Sequence, residues 1–165
     1  GEAKAAVLKA REALELNDKH IIALIQLISA QTALGNFTEL QQLIDGLPAE
    51  LLQWPNIEIR TGIYYAASGE AEKAWEVYRE YTVNPPYEGG MVIIAALALQ
   101  LGDVEGAIDI MEGEVERNSW TQAWARTLYR NNDVLKDHPR YLAVLKSMHL
   151  DDESVAELKR RMTFE

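Results

Sequence analysis

Three histidines, His20, His138 and His149, are the first residues to test for chemistry. A helical metal site needs two ligands one turn apart, as in H-E-x-x-H, and no pair of these histidines has that spacing. A site from His138, Asp137 and His149 is conceivable in three dimensions, but loop histidines are mostly solvated or capping groups. The chain has no cysteine, which excludes disulfides, thiolate chemistry and zinc–thiolate sites. Its serines, Ser29, Ser68, Ser119, Ser147 and Ser154, occupy no nucleophile elbow. Gly89-Gly90, in "YEGGMV", has no lysine after it and no strand before it, so it reads as a hinge rather than a phosphate loop. Glu112, Glu114 and Glu116 fall on differing faces of one helical stretch and are expected to be solvated. The expectation is a protein that is not an enzyme and that holds no metal and no cofactor.

Charge narrows the partners. A net charge of -10 argues against nucleic acid and against an anionic membrane surface, since both need a basic face. Lys159, Arg160 and Arg161 cluster near the end, where they suit the negative end of a helix dipole. The longest apolar run, "MVIIAALALQL", is too short to span a bilayer. Lack of cysteine fits the cytosol and the bacterial periplasm equally. The expected setting is cytoplasmic, or periplasmic where the parent is a membrane-anchored regulator. Trp75, Tyr78 and Tyr81, three apart, read as packing between helices, as do Trp120 and Trp124. Trp120 and Trp124 could also anchor a peptide.

The elements that position these residues are set by a recurrent phrase. "GNFTELQ" from Gly35, "GEAEKAW" from Gly69 and "GDVEGAI" from Gly102 follow one another at intervals of 34 and 33 residues. "GEAKAAV" from Gly1 has the same form, though a bare Gly1 carries little weight. Glycine ends a helix in the left-handed conformation. The residue after it, Asn36, Glu70 or Asp103, is expected to cap the next helix. Five residues after each glycine stands an apolar residue: Ala6, Leu40, Ala74 and Ala107. Helices are predicted near 2–16, 20–34, 37–46, 55–68, 70–83, 88–101, 103–117, 119–131, 138–148 and 152–163. All five prolines fall in or beside the connections. The stretch "DGLPAELLQWPN" reads as an irregular loop. No segment alternates as a strand does, so the fold class is all-α.

At this register the chain resembles the tetratricopeptide repeat, whose period is about 34 residues. The residues that match are Ala6, Ala10 and Ala13, then Leu24, Leu27, Ile28 and Leu40, then Gly62, Tyr65, Ala74, Tyr78 and Pro85-Pro86, then Ala95 and Ala107. The family's early tryptophan is missing, and Leu40 and Leu47 replace small residues. The resemblance implies a right-handed superhelix of antiparallel helix pairs, a TPR-like α-solenoid with C-terminal capping helices. It implies one domain over 1–165, with units near 1–18, 19–53, 54–86 and 87–118 and a cap over 119–165.

The last third is similar to the end of tetratricopeptide regions attached to bacterial signalling proteins, including adenylate cyclases, kinases and winged-helix regulators. That end has the form L-x-x-D-P-R-F-x-x-L-L-x-x-x-G-L. Leu135, His138, Pro139, Arg140, Tyr141, Leu145 and Leu150 stand in its places, with His138 for aspartate and His149 for glycine. Counted in register, the chain starts in mid-unit, so a fragment of a longer protein is expected, with an exposed face made in part by Val7, Leu8, Leu14 and Leu16.

In this family the first helix of each pair lines a concave face that takes a peptide or helix. Carried over, that face comprises Ile22, Ile25, Gln26, Ser29 and Thr32; Asn56, Ile59, Arg60 and Ile63; and Val92, Ile93, Ala96 and Gln100. It is apolar, with Arg60 its one cation, so an apolar or helical segment of a protein partner is expected. These positions could equally face another domain of the same protein. The alternative is a self-associating module, a homodimer through the N-terminal helix, without external ligand.

Overall fold

Helix ends in this chain are set by a few local residues. The computed structural model describes residues 1–85, 91–117 and 132–162, and every regular element among them is an α-helix. First come α1 (Glu2–Leu16), α2 (Ile21–Leu34), α3 (Phe37–Asp45), α4 (Ala49–Leu52), α5 (Pro55–Ser68) and α6 (Ala71–Val83). Then come α7 (Met91–Gln100), α8 (Val104–Glu116), α9 (Pro139–Ser147) and α10 (Asp152–Met162). The expected helix over 119–131, with Ser119, Trp120 and Trp124, and the hinge at Gly89-Gly90 lie outside the described residues. The stretch read as an irregular loop contains the single turn α4, whose Leu51 packs into the core.

Gly35, Gly69 and Gly102 have φ of 70°, 93° and 81°, the left-handed conformation expected of them. The same pair of hydrogen bonds closes each helix. Gly35 N–H donates to the Thr32 carbonyl at 3.0 Å and Asn36 N–H to the Gln31 carbonyl at 3.1 Å. Glu70 N–H reaches the Tyr65 carbonyl at 2.8 Å, and Asp103 N–H the Ala98 carbonyl at 2.9 Å. This is the Schellman closure. It recurs at the end of α9, where His149 donates to Lys146 and Leu150 to Leu145, and there the left-handed residue is His149 itself, at φ 56°.

The following helix starts differ from the expectation. Asp103 does cap α8, accepting from Gly106 N–H at 3.0 Å. Asn36 instead turns back and donates to Gln31 Oε1 at 2.7 Å, because that amide is buried and needs a partner. Glu70 goes to Lys73 Nζ at 2.5 Å. The positions five residues after each glycine, Leu40, Ala74 and Ala107, are all fully buried.

The chain divides into two compact units, Gly1–Pro86 and Tyr87–Glu165. In the first, α2 is enclosed on most of its circumference. One side carries Leu27 and Ala30 against Val7 and Ala10 of α1. The other carries Leu24, Ile25 and Ile28 against Leu40 and Ile44 of α3, Leu51 of α4, and Ile57 and Tyr64 of α5. This explains why α2 is apolar nearly throughout; of its four polar residues Gln26 and Ser29 are exposed, Thr32 is half-buried and Gln31 is buried. Two buried tyrosines tie neighbouring helices by their hydroxyls. Tyr64 donates to Gln41 of α3 and Tyr81 of α6 to Glu58 of α5, both at 2.7 Å. Burial raises the pKa of each, and for Tyr81 the Glu58 carboxylate adds to it. Trp75 and Tyr78 meet edge to face at 5.3 Å.

In the second unit α7 pairs with α8, burying Ile94, Ala95, Leu97 and Ala98 on one helix and Ala107, Ile108 and Met111 on the other. Helix α9 packs on α8. Leu135, Tyr141 and Leu145, three residues of the tail pattern, are buried almost completely. Asp151, just before α10, accepts from Ser154 N–H at 3.0 Å and Ser154 Oγ at 2.6 Å, and α10 buries none of its residues.

Candidate functional site

An α-helix enclosed by neighbours can offer only the stripe that no neighbour covers. On α2 that stripe is Ile22, Gln26, Ser29 and Ala33, all exposed, with Ile22 at 60 %. Their spacing of four, three and four keeps them on one side of the helix. The same spacing recurs on α5 34 residues later, as Asn56, Arg60, Ile63 and Ala67. Here the first three are half-buried and Ala67 is exposed. On α7, in the other unit, Ile93 and Ala96 are half-buried and Gln100 is exposed, again at a spacing of three and four.

Four of the expected face residues, Ile25, Thr32, Ile59 and Val92, are not on these stripes. Ile25 and Val92 are buried at 7 % exposure and Ile59 is fully buried. Each is the sequence neighbour of a stripe residue, and one residue rotates a side chain by about 100° around a helix. Ile25 joins the core formed with Leu24 and Ile28. Thr32 is half-buried and donates its hydroxyl to the Ile28 carbonyl at 2.8 Å. Ser29 Oγ is likewise committed to the Ile25 carbonyl at 2.9 Å. The stripes therefore offer aliphatic contact and the exposed amides of Gln26 and Gln100, while Asn56 and Arg60 are half-buried and have interactions of their own.

The apolar face expected on α1 is also smaller than its residues suggest. Val7 is buried against α2, and Leu14 packs partly into both core clusters. Leu8 and Leu16 remain exposed at 62 % and 90 %.

The histidines have structural roles where they have partners. His20 caps α2, its Nδ1 accepting from Ala23 N–H at 3.3 Å. His138 Nε2 lies 3.2 Å from Glu105 Oε1, and His149 is exposed at its left-handed turn. No group of three or more metal-ligating side chains occurs among the described residues. No described helix is long and apolar enough to cross a membrane.

A cluster that the sequence reading missed joins α9 to α8. The guanidinium of Arg140 meets Glu105 at 2.6 Å, Asp109 at 2.5 Å and Glu112 at 2.7 Å. These carboxylates hold the Arg140 pKa above its ordinary value. Glu105, Asp109 and Glu112 follow the same four–three spacing, so they share one side of α8. That spacing, read beside the lone arginine of "HPRY", was the available signal. The expectation of a solvated acidic surface is corrected accordingly. Glu112 is engaged by Arg140, Glu114 is 2 % exposed and accepts from Arg117 at 2.7 Å, and Glu116 alone of the three is exposed.

Comparison with protein-family models, curated proteins and solved structures gives no match for this chain.

Proposed function

We propose that the chain is a helical-repeat scaffold of the tetratricopeptide type, a right-handed superhelix of antiparallel pairs with capping helices. Its role is to bind a peptide or helix of another protein along the uncovered stripes of its first-position helices. The observation that carries this reading is the return of one stripe, 22/26/29/33, as 56/60/63/67 on the adjacent helix α5. Two packed helices that leave the same turns wholly or partly uncovered make a continuous surface, and a repeat keeps that register. Ile22 and Ile63 supply aliphatic contact there, while the exposed Gln26 amide supplies a donor and an acceptor for a partner's main chain. The tail pattern supports placement in a bacterial signalling or transcription-regulatory protein.

Selection from a displayed peptide library, with the bound peptide mapped by backbone amide shifts, tests this. Selected peptides are expected to shift amides within 22–33 and 56–67, and Ile22→Asp is expected to weaken them by about tenfold or more, through loss of apolar burial and an unpaired charge. Peptides that map consistently elsewhere would overturn the reading.

A second reading is self-association without an external ligand, which the exposure of Leu8 and Leu16 on α1 favours. Sedimentation over a hundredfold range of concentration decides it. A monomer throughout excludes it, and a dimer lost in Leu8→Glu supports it.

A further inference from the structure

Glu58 of α5 is half-buried and half-satisfied. Tyr81 Oη donates to its Oε2 at 2.7 Å, and no described residue donates to Oε1. The carboxylate lines a cleft in the first unit whose other walls are Ile44 of α3, Leu52 of α4 and the adjoining Gln53, Tyr65 of α5 and Val77 of α6. Thr61 lines it too, but its hydroxyl is committed to the Ile57 carbonyl at 2.9 Å. The result is a mostly apolar recess, with the Gln53 amide in its lining and the Glu58 carboxylate as its one anionic acceptor. Positions 58, 61 and 65 lie on the opposite side of α5 from 56, 60, 63 and 67, so this recess is distinct from the stripe surface.

The shape of the acceptor selects its ligand. A guanidinium binds a carboxylate best as a fork, with one N–H to each oxygen. Tyr81 is buried and already holds one oxygen, so the fork loses half its partner. An ammonium is a point donor that a single oxygen serves, and its methylene stem lies well against aliphatic and aromatic walls. The protein's own Lys73 is committed elsewhere, its Nζ held by Glu70 at 2.5 Å while it stands 4.9 Å from the Tyr65 ring centre. A net charge of -10 draws a basic partner from a distance.

We propose that this cleft seats a lysine side chain presented by a partner polypeptide. Its methylenes lie against Ile44, Leu52, Tyr65 and Val77, and its ammonium donates to Glu58 Oε1. The proposal goes beyond the stripe reading and does not depend on it.

The probe is n-butylammonium, which reproduces the lysine side chain, titrated into the isotopically labelled full chain and followed by backbone amide shifts. n-Propylguanidinium, the arginine counterpart, and neutral 1-butanol are the controls. Saturable shifts are expected at Leu52, Glu58, Thr61 and Tyr65, with n-butylammonium favoured about fivefold or more over both controls, the scale of one partly exposed ion pair. Glu58→Gln should bring the ammonium down to the level of butanol. Tyr81→Phe frees the second oxygen, so the guanidinium should gain on the ammonium. This second variant keeps the test decisive should Glu58→Gln lose its fold. Equal binding of butanol, unchanged affinity in Glu58→Gln, an unchanged preference in Tyr81→Phe, or no saturable shift at these amides would each overturn the proposal.

Discussion

His149 holds a left-handed backbone where three other closures of the same kind use glycine. A side-chain-bearing residue in that conformation costs about 1–2 kcal/mol relative to the right-handed region. Glycine avoids that cost but adds freedom to the unfolded chain. His149→Gly is therefore expected to stabilise the protein by about 0.5–1 kcal/mol, read from urea unfolding. The reverse change, Gly102→Ala, is expected to destabilise by about 1 kcal/mol. The cost is backbone strain alone, because an added Cβ at Gly102 meets nothing within 4 Å. Asp151 makes a second prediction at this scale. Its two bonds to Ser154 hold the carboxyl pKa below its ordinary value. The unfolded chain therefore takes up this proton first, so the cap's contribution is complete above the ordinary carboxyl range, about pH 4, and is lost as pH falls through the lower folded value. Amide exchange in α10 should quicken on acidification, after correction for the intrinsic pH dependence, and Asp151→Asn should lose most of that response.

Among the elements, α9 is held both by burial and by charge. Tyr141 and Leu145 supply apolar contact, while Arg140 reaches carboxylates on three turns of α8. Arg140→Met is expected to raise amide exchange in α9 more than in α7, with a difference that shrinks at high salt as the native ion cluster is screened. A uniform rise across both helices would show that the cluster adds nothing specific to this joint. The contrast between this cluster and the helix boundaries shows what one sequence makes legible. Glycines 35, 69 and 102, and Pro55 and Pro139 at helix starts, act on their own few residues, so α2, α5, α6, α8 and α9 could be placed within one or two positions. Arg140 and Glu105 stand 35 residues apart, and nothing local announces that they meet. The stripe lies between these cases. Its spacing was readable, but Ile25 and Ile59 were placed on it because the side that α5 or its neighbours cover is a tertiary fact. The Glu58 recess was not readable at all, since four separate helices contribute its walls.

For the molecule as a whole, charge sets the response to salt. With 26 acidic against 16 basic residues, self-repulsion opposes compaction. Added sodium chloride up to about 0.3 M should raise the thermal midpoint, because a Debye length of about 10 Å at 0.1 M shortens further and screens that repulsion. A midpoint that falls would mean that favourable pairs such as those of Arg140 outweigh the net charge. The all-helical character needs no distant pairing to form, since each closure draws its hydrogen bonds from within six residues. At Gly35, Gly69 and Gly102 the space that a side chain would enter is empty, although the fully buried Leu40, Ala74 and Ala107 lie five residues downstream. The side-chain space at the joints is thus open while the helices on either side are locked into the core. The joints are the natural splice points of the protein, where a short foreign peptide such as a protease site or dye-binding tag can be grafted between the two helices of a pair without entering the packed core.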